Sequence, residues 1–412
     1  MSSSLASTDV VVVGAGLVGM CTAMELRRRG FDVAVVEQRF PAFGASGRNS
    51  GALWLQTRRT GLDLNLARAS KAIYADYSDE LGDVFGLRQR GGLFFFESDE
   101  QREALDSYVL DRREAGLDIE ILSRKEALKH TPLLPSTAIG AVYCADDAQV
   151  DTQRFVGALA EAATAAGVRR FENTAVLSTI RRNETVVGVR TVRGDIHAPG
   201  VVWATGAWAR NLGGEGIELP ITTCRAGEIR TQPVDQRPSA IMHGPRGVRG
   251  CSALAALPGF NYDLFPQPDP MALAGLPPAK TGDDWEYEDS IAQFPDGSLR
   301  IGNSIDHTGS LNPHISLRAT QALISTTLER YAEFANFGVV GLWAGLHSHT
   351  ADGLPIVDHV DGAYVNVGHT AGVSTAPMAA RVLAAMVSGE THPMSEGLGA
   401  DRASLGPVVI DS

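Results

Sequence analysis

Three glycines and a glutamate near the start of the chain have the spacing that holds a dinucleotide. Gly14, Gly16 and Gly19 form G-x-G-x-x-G, and Glu37 follows 18 residues after the last of them. In this pattern the first glycine permits a tight turn, the second lets backbone N–H groups approach a pyrophosphate, and the third lets a helix pack closely on a strand. A carboxylate at Glu37 can accept both hydroxyls of an adenosine ribose and would repel the 2′-phosphate of NADP. These residues predict a site for NAD or FAD, and the motif alone does not distinguish the two.

The residues around this motif have the pattern of a strand, a helix and a second strand. Val10 to Val13 form a β-branched run that suits a strand buried on both faces, as in a parallel sheet. Apolar residues then recur at helical spacing as far as Arg29, and Gly30 can cap the helix. A second strand is expected over 31–37. The sequence therefore predicts the opening of a Rossmann-like domain.

The bulk composition is typical of a globular enzyme with two domains. The chain has 412 residues, 44% apolar and 20% charged, and its net charge of −12 argues against a nucleic-acid partner. The four cysteines, Cys21, Cys144, Cys224 and Cys251, have no metal-like spacing, so we expect free thiols and no metal site. There is no signal-peptide pattern and no apolar run long enough to span a membrane, so we expect a cytoplasmic protein without a membrane span.

Later segments favour FAD over NAD. The small-residue loop GASGRNSG at 44–51 can lie along an extended cofactor. Alternating apolar residues over 168–197 predict a β-meander, and a buried strand with the turn 204–206 follows it. Near the C-terminus, GHTAG at 368–372 precedes a helix expected from about 374 to 387. The N-terminus of that helix would favour the negative charge of a reduced flavin.

In this order the motifs resemble those of the D-amino-acid oxidase-like FAD-dependent oxidoreductases over nearly the whole chain. The segments that carry the resemblance are GAGLVG at 14–19, GASGRNSG, ATGAW at 204–208, DGLP at 352–355 and GHTAGVSTAP at 368–377. The family includes glycine and sarcosine oxidases and D-amino-acid dehydrogenases. In detail, GASGRNSG, QFPDGSLRIGNS and WAGLHSHTADGLPIVD are similar to the β subunits of heteromeric sarcosine, proline and opine oxidases or dehydrogenases, and to the hydrogen cyanide synthase flavoprotein.

The resemblance implies an α/β fold, in which an FAD-binding Rossmann-like domain of the GR2 type is interleaved with an α+β substrate domain built on an antiparallel sheet. We expect the FAD-binding domain to comprise residues 1–85, 146–224 and 340–412, and the substrate domain to comprise 86–145 and 225–339. The sequence supports the second sheet independently, because LRQRGGLFFFES and SIAQFPDGSLRIGNS both have the pattern of strands around turns.

The resemblance also implies which residues bind FAD. Glu37 matches the ribose ligand, Ser46 lies with the pyrophosphate loop, and the segment at Val176 brackets adenine. Covalent attachment uses Cys or His, and this chain has Gly345 near the place where some monomeric sarcosine oxidases carry a cysteine, so we predict non-covalent FAD. The implied cofactor-binding residues are Gly14, Ala15, Gly16, Leu17, Val18, Gly19, Glu37, Gln38, Arg39, Ala45, Ser46, Arg48, Asn49, Ser50, Gly51, Ala175, Val176, Ala204, Thr205, Gly206, Trp208, Gly345, His347, Gly368, His369, Thr370, Ala371, Gly372 and Val373.

The implied reaction is hydride transfer from an amine-bearing carbon to flavin N5, after which the imine hydrolyses in water. The substrate would be a D-amino acid, sarcosine, proline or an opine-like amine, and O2 or another acceptor would receive the electrons. The flavin carries the difficult chemistry, so the protein's task is orientation and electrostatics. The residues predicted to serve the catalytic centre are His347, His369, Arg48 and Tyr262.

The chain departs from its relatives at the group that binds the substrate carboxylate. Many members have an arginine just before the D-G-x-P stretch, where His347 is nearest in this chain. An imidazole cannot reproduce the two parallel hydrogen bonds of a guanidinium. Either another arginine serves (Arg48, Arg58, Arg225 or Arg249), or the carboxylate is held differently, or the substrate has none.

Three alternatives to an independent amine-oxidising enzyme remain open at this point. A pyridine-nucleotide reductase would need a second G-x-G-x-x-G after a strand, and GLGADRASLG near the end lacks the strand and the third glycine. The chain could be an FAD-binding subunit that needs partner subunits, or it could oxidise an alcohol or hydroxyacid on the same fold. Sarcosine oxidases often place a lysine where oxygen reacts, and the middle region offers only Lys280, which favours a dehydrogenase or an oxidase that uses histidine.

Overall fold

The structure is a computed structural model of the chain. It describes residues 4–276, 285–307 and 309–406, with only the backbone at 249, 270 and 285. The described strands, β1 to β20 in chain order, are Ser4–Ser7, Val10–Val13, Val33–Val36, Ala52–Leu53, Gly92–Phe96, Ile119–Ser123, Gly140–Cys144, Ala148–Gln149, Arg169–Phe171, Val176–Arg182, Thr185–Thr191, Gly194–His197, Gly200–Trp203, Thr222–Pro233, Ile241–His243, Trp285–Gln293, Ser298–Asp306, Val339–His349, Ile356–Val360 and Ala363–Val367.

The described α-helices range from single turns to five turns. In chain order, α1 to α9 are Leu17–Arg28, Leu62–Leu81, Asp99–Glu114, Arg124–Ala127, Thr152–Ala165, Ser252–Ala255, Pro270–Leu273, Leu317–Arg330 and Gly372–Val387. Within the described ranges, no helix is both long enough and apolar enough to cross a bilayer.

The first sheet has six strands in the order β19-β20-β13-β2-β3-β9, and all of its pairings except β19 with β20 are parallel. The strands β2 and β3 are fully buried, as the valine runs predict, because helices cover the sheet. The helices α1 and α9 pack side by side on it. Since β2, β3, β13 and β20 are parallel, their carboxyl ends meet at one edge of the sheet. Gly14, Glu37, Ala204 and Gly368, which directly follow these strands, therefore lie at the same edge.

The meander expected between 168 and 197 is confirmed. The strands β10, β11 and β12 pair in antiparallel fashion, and β1 adds to β12 in parallel to complete a four-stranded sheet. Apolar residues on its inner side, including Val186, Val189 and Ile196, pack in one cluster with the six-stranded sheet. The meander therefore covers one face of the parallel sheet and brings the start of β10 next to the end of β3.

A third sheet of eight strands has the order β18-β14-β17-β16-β15-β5-β7-β6. Its pairs are antiparallel except β15 with β5, which run parallel, so the sheet is mixed rather than purely antiparallel. The strands predicted in LRQRGGLFFFES and SIAQFPDGSLRIGNS are β5, β16 and β17, and all three belong to this sheet. These observations confirm the α/β fold class with a second sheet-based unit.

The interleaving of the chain follows from which segments enter which sheet. Strands of the six-stranded sheet come from residues 10–36, 169–203 and 356–367. The eight-stranded sheet draws on 92–144 and 222–349. Strand β18 lies almost entirely after the expected boundary at 340, yet it pairs with β14 over most of its length. The exact domain limits stay a prediction. Because β18 carries His347, this residue lies on the eight-stranded sheet, whereas the glycine motif lies at the edge of the six-stranded sheet.

Candidate active site

A cavity of about 750 Å³ runs from the carboxyl edge of the six-stranded sheet to one face of the eight-stranded sheet. Its lining brings together residues that are far apart in the sequence, because the two sheets are built from interleaved segments. The predicted site residues that line it are Gly14, Gly16, Leu17, Val18, Glu37, Gln38, Ala45, Ser46, Asn49, Ser50, Ala175, Val176, Ala204, Thr205, Gly206, Trp208, His347, His369, Thr370, Ala371, Gly372 and Val373. Their individual binding roles stay predictions.

The first and third glycines of the motif are packed so closely that side chains do not fit there. A Cβ at Gly19 would lie 1.9 Å from the backbone oxygen of Gly14, so only glycine lets α1 start against the end of β2. Gly14 has φ of +108°, and a Cβ there would lie 2.5 Å from the oxygen of Ala204. At Gly16 a Cβ would lie 3.1 Å from Ser46 Oγ. The loop therefore exposes backbone N–H groups at a helix N-terminus, which is the arrangement that binds a pyrophosphate.

Glu37 is held at the end of β3 by backbone groups. Its Oε2 accepts a hydrogen bond from the N–H of Ala15 (2.9 Å), and its Oε1 accepts one from the N–H of Arg39 (2.9 Å). Burial raises the pKa of Glu37, although these backbone hydrogen bonds oppose the shift. The N–H of Thr174 donates to the backbone oxygen of Glu37, which places the segment leading to Val176 alongside. A ribose hydroxyl and an adenine at this end of the cavity fit that geometry.

The loop 44–51 lies against the glycine motif and is fixed mainly by Asn49. Its Nδ2 donates to the backbone oxygen of Ala45 (2.8 Å) and to Thr152 Oγ1 (2.9 Å). Ser46 Oγ accepts a hydrogen bond from the N–H of Leu17 (2.8 Å), so its hydroxyl hydrogen remains available to a phosphate. Sequence reasoning placed Ser46 and Asn49 in this region, and the structure gives Asn49 a loop-shaping role as well.

Several predicted residues do not line the cavity in the described structure. A Cβ at Gly51 would lie 2.0 Å from Val150 O, and one at Gly345 would lie 2.7 Å from Arg48 O, so these glycines admit neighbouring backbone. Tyr262 lies in a short 3₁₀ turn and is 46% exposed. The predicted residues outside the lining are Ala15, Gly19, Arg39, Arg48, Gly51, Tyr262, Gly345 and Gly368.

His369 lies in the turn that joins β20 to α9, and the protein itself satisfies both of its ring nitrogens. Nδ1 is 2.8 Å from Thr375 Oγ1, and Nε2 is 2.8 Å from Asn366 Oδ1. Burial lowers the pKa of His369 to about 3, so the ring is neutral near pH 7. These contacts orient the backbone of the turn towards the cavity, and they leave no ring nitrogen free for a proton transfer. A direct catalytic role for His369 stays a prediction.

The imidazole of His347 lines the cavity. It lies on β18 with His349, two residues apart and therefore on the same face of the sheet. Neither ring nitrogen of His347 has a hydrogen-bond partner among the described residues, and burial lowers its pKa. His349 Nε2 is instead 3.0 Å from Cys224 Sγ on the neighbouring strand β14. His347 can therefore contact a bound molecule without breaking an internal contact.

Sequence reasoning missed the polar residues that share this sheet face. Alternate residues of neighbouring strands point into the cavity, as the period of two requires. Glu288 Oε2 accepts a hydrogen bond from Asn303 Nδ2 (2.9 Å), and burial raises the pKa of Glu288. Only the strand pairing brings these residues together, and a period-two pattern in β16 and β17 was the available signal. The additional lining residues of the face are Cys224, Ala226, His243, Glu286, Glu288, Ser290, Asn303, Ile305 and His307.

The arginines considered as substitutes differ sharply in their surroundings. Arg48 donates to the backbone oxygens of Pro313 (2.9 Å) and Ala344 (3.1 Å), so it ties the loop to the eight-stranded sheet. Arg225 Nε lies 3.0 and 2.9 Å from the two carboxylate oxygens of Asp306 and is outside the lining. Arg58 lines the cavity. The side chain of Arg249, like the whole of Lys280, lies outside the described residues.

The family model for FAD dependent oxidoreductases (DAO) matches residues 9–386. The chain belongs to this family. The flavoenzyme is 29% identical to a glycine oxidase of Pseudomonas aeruginosa over 397 residues, which cover 93% of this chain and 95% of that relative. It is 24% identical to hydrogen cyanide synthase subunit HcnC of the same organism, over 94% of each chain. The crystal structure of a glycine oxidase from Geobacillus kaustophilus superposes with a TM-score of 0.78 at 23% identity, covering 96% of this chain and 99% of that one.

The residues of the cavity fit FAD, the cofactor that this enzyme binds. Gly14 and Gly19 leave space only for backbone, and Glu37 lies at the end of β3. The hydroxyl of Thr205, in the turn after β13, lines the cavity and is buried without a hydrogen-bond partner in the described structure. A ligand polar group would satisfy it. The flavoenzyme can therefore hold the adenosine end at Glu37 and the flavin end between the 368–373 turn and β18.

We predict that acid releases the flavin of this enzyme into the supernatant. The cavity contains Cys224, but burial raises the pKa of its thiol to about 12, so the thiol is protonated and a poor nucleophile. Trichloroacetic acid precipitation followed by absorbance of pellet and supernatant checks this. If the wild-type pellet stays yellow and a Cys224→Ser pellet does not, the linkage is covalent and Cys224 forms it.

We predict that His243 makes the folded state sensitive to acid. Burial lowers its pKa to about 4, so between about pH 6.5 and 4 the unfolded chain binds a proton that the folded enzyme does not. His243 alone therefore lowers the free energy of unfolding by up to about 2 kcal/mol as the pH falls from 7 to 5. Asp147 and Asp289, whose pKa values burial raises to about 6, act in the opposite direction.

A comparison of wild type with His243→Phe isolates this contribution, because the opposing aspartates are common to both proteins. A phenyl ring keeps the edge-to-face packing on Trp54 and Phe94. Urea unfolding at pH 7 and pH 5 should show a smaller loss for the variant. An equal loss in both proteins would contradict the assignment.

Proposed function

We propose that the enzyme oxidises the C–N bond of an amino acid or secondary amine and yields an imine that hydrolyses. The observation that carries this proposal is a single cavity that joins the dinucleotide motif to a sheet face with a free, neutral imidazole. The relatives support the same chemistry, since glycine oxidase and D-amino acid dehydrogenase are among them.

Bound FAD would supply the hydride acceptor, and the chain's residues would position the substrate. The turn 368–372 and the N-terminus of α9 border the cavity, and a helix N-terminus favours negative charge nearby. The apolar residues Ala226 and Ile305 line the sheet face and would exclude water from the reacting carbon. A ring nitrogen of His347 can accept the proton that a substrate ammonium group must release before its amine is oxidised.

The test is an anaerobic titration of purified holoenzyme, in which bleaching of the visible flavin band reports reduction. The panel contains D-amino acids, glycine, sarcosine, proline, opines, amines without a carboxylate, and lactate as a hydroxyacid. Bleaching by an amine or amino acid supports the proposal. Bleaching by lactate alone would replace it with hydroxyacid oxidation.

If no member of the panel reduces the flavin, the same purified holoenzyme can test a second explanation. Tightly bound FAD that no member of the panel reduces would indicate a subunit that needs partners, as the similarity to a synthase subunit allows. Reoxidation of the reduced enzyme by air then separates an oxidase from a dehydrogenase, which would reoxidise slowly and require another acceptor.

A further inference from the structure

Arg58 is a buried guanidinium at the wall of the cavity. It lies in the loop between β4 and α2, and the residue is 8% exposed. Its Nε and Nη2 donate to Thr57 Oγ1 (3.1 and 2.9 Å), and Nη2 also donates to the backbone oxygen of Gly250 (3.1 Å). These contacts fix the plane of the guanidinium. Its Nη1 has no hydrogen-bond partner among the described residues and remains available for a ligand.

In the described part of the chain, no carboxylate oxygen lies within 4.0 Å of the Arg58 guanidinium. Asp63 is close in sequence, but its Oδ2 accepts hydrogen bonds from the N–H of Arg59 (3.0 Å) and from Ser252 Oγ (3.5 Å). The other buried arginines do have acidic partners in the described structure, as Arg112 has Asp111 and Arg300 has Glu228. An unpaired buried charge is unfavourable, so its presence beside a cavity indicates a ligand of opposite charge.

The surroundings of Arg58 leave space for a small ionised molecule. Gly250 and Ser252 line the cavity and carry little or no side chain, and both lie beside Arg58, since Arg58 donates to Gly250 O (3.1 Å) and Ser252 Oγ donates to the backbone oxygen of Thr57 (3.0 Å). Glu288 also lies close to Gly250, since a Cβ at Gly250 would be 3.2 Å from Glu288 Oε1. A guanidinium and a carboxyl group that both lie near one glycine suit an amino acid, whose carboxylate and amino group are adjacent.

We propose that Arg58 binds the carboxylate of the substrate, and that the substrate is therefore an amino acid rather than an amine without a carboxylate. This assignment rests on the proposed amine oxidation and decides between the two substrate classes that it leaves open. Arg58 replaces the arginine that is absent at His347. It reaches the cavity from the loop after β4 instead of from β18, so the substrate would bind with its carboxylate at Gly250.

The first experiment compares amino acids with their decarboxylated partners in anaerobic reduction of the holoenzyme. The pairs are glycine and methylamine, sarcosine and dimethylamine, proline and pyrrolidine, and D-alanine and ethylamine. Wild type should be reduced by at least one amino acid. Arg58→Met should raise the apparent Kd for that amino acid by about 30-fold or more, because it removes a charge-assisted anchor. The limiting reduction rate and the response to the amines should change by less than about threefold.

Two variants serve as controls. Arg58→Lys keeps the positive charge but not the fork, so it should recover part of the affinity, and it replaces Arg58→Met if that variant loses FAD. Arg190→Met removes an arginine that is exposed on the meander and pairs with Asp195, so its kinetics should match wild type. An equal effect of Arg58→Met on amino acids and amines would overturn the assignment. Reduction of wild type by carboxylate-free amines alone would overturn it as well.

A binding measurement separates failure of this assignment from failure of the proposed reaction. Acetate and acetamide are titrated into the oxidised holoenzyme, and calorimetry together with the flavin spectrum reports binding. Acetate should bind wild type more tightly than acetamide, and Arg58→Met should remove this difference. If no amine reduces the enzyme, this result alone decides, and a variant that keeps the preference for acetate would rule out Arg58 as the anion site.

Discussion

Replacing Gly19 with alanine should yield protein without FAD. The added Cβ would lie 1.9 Å from the backbone oxygen of Gly14 and 2.9 Å from its carbonyl carbon. No rotamer change relieves a clash with backbone, so α1 must move away from β2. This movement displaces the backbone N–H groups that would bind the pyrophosphate. We expect a loss of at least about 3 kcal/mol in the free energy of unfolding and a rise of at least about 100-fold in the Kd for FAD. The ratio of flavin to protein absorbance and the urea midpoint of unfolding measure both effects.

Gly157→Ala is the matched control for this substitution. Gly157 is an exposed interior residue of α5, and a Cβ there would meet nothing within 4 Å. Alanine at such a position stabilises a helix by about 0.5–1 kcal/mol, so this variant should be slightly more stable than wild type and should bind as much FAD. A Gly19→Ala protein that keeps FAD and the wild-type midpoint would show that the close helix–strand contact is unnecessary.

The sequence predicted the strand–helix–strand segment that carries the glycine motif, because each part of that segment is local. The valine run, the three glycines and Glu37 lie within one strand–helix–strand segment, so spacing alone fixes their relative positions. The meander was predictable for the same reason, since neighbouring strands are joined by short turns.

The face of the eight-stranded sheet was harder to predict from the sequence, because it is formed by strands that are far apart along the chain. Cys224 and His349 are 125 residues apart and touch only because β14 pairs with β18. Arg48, which lies within the loop 44–51, was predicted to serve the catalytic centre and was one of the arginines considered as a substitute for the missing one. Its guanidinium instead reaches backbone oxygens 265 and 296 residues further along the chain. Local pattern gives no information about such partners, so it could not separate Arg48 from Arg58.

Asp352→Asn should destabilise the enzyme by about 3–5 kcal/mol, because it removes one partner of a buried ion pair. Arg402 Nε lies 2.6 Å from Asp352 Oδ2, and Ser404 Oγ donates to the same oxygen (2.6 Å). Arg402 also donates to the backbone oxygens of Leu354 (2.8 Å) and Pro355 (3.1 Å). The pair therefore fixes the C-terminal segment onto the turn before β19, and Gly353 in that turn lines the cavity. Urea unfolding at pH 7 measures the loss.

The exposed pair of Asp361 and Arg181 provides the control, and pH provides an independent check. Asp361→Asn should cost at most about 1 kcal/mol, because both side chains of this ion pair are exposed to solvent.

Burial raises the pKa of Asp352, but the hydrogen bonds from Arg402 and Ser404 outweigh burial and hold that pKa well below its usual value. The stabilisation is therefore complete above about pH 4 and is lost as pH falls further. The gap between wild type and Asp352→Asn should narrow below pH 4, and a gap that stays constant there would mean that the charge of Asp352 does not hold the tail.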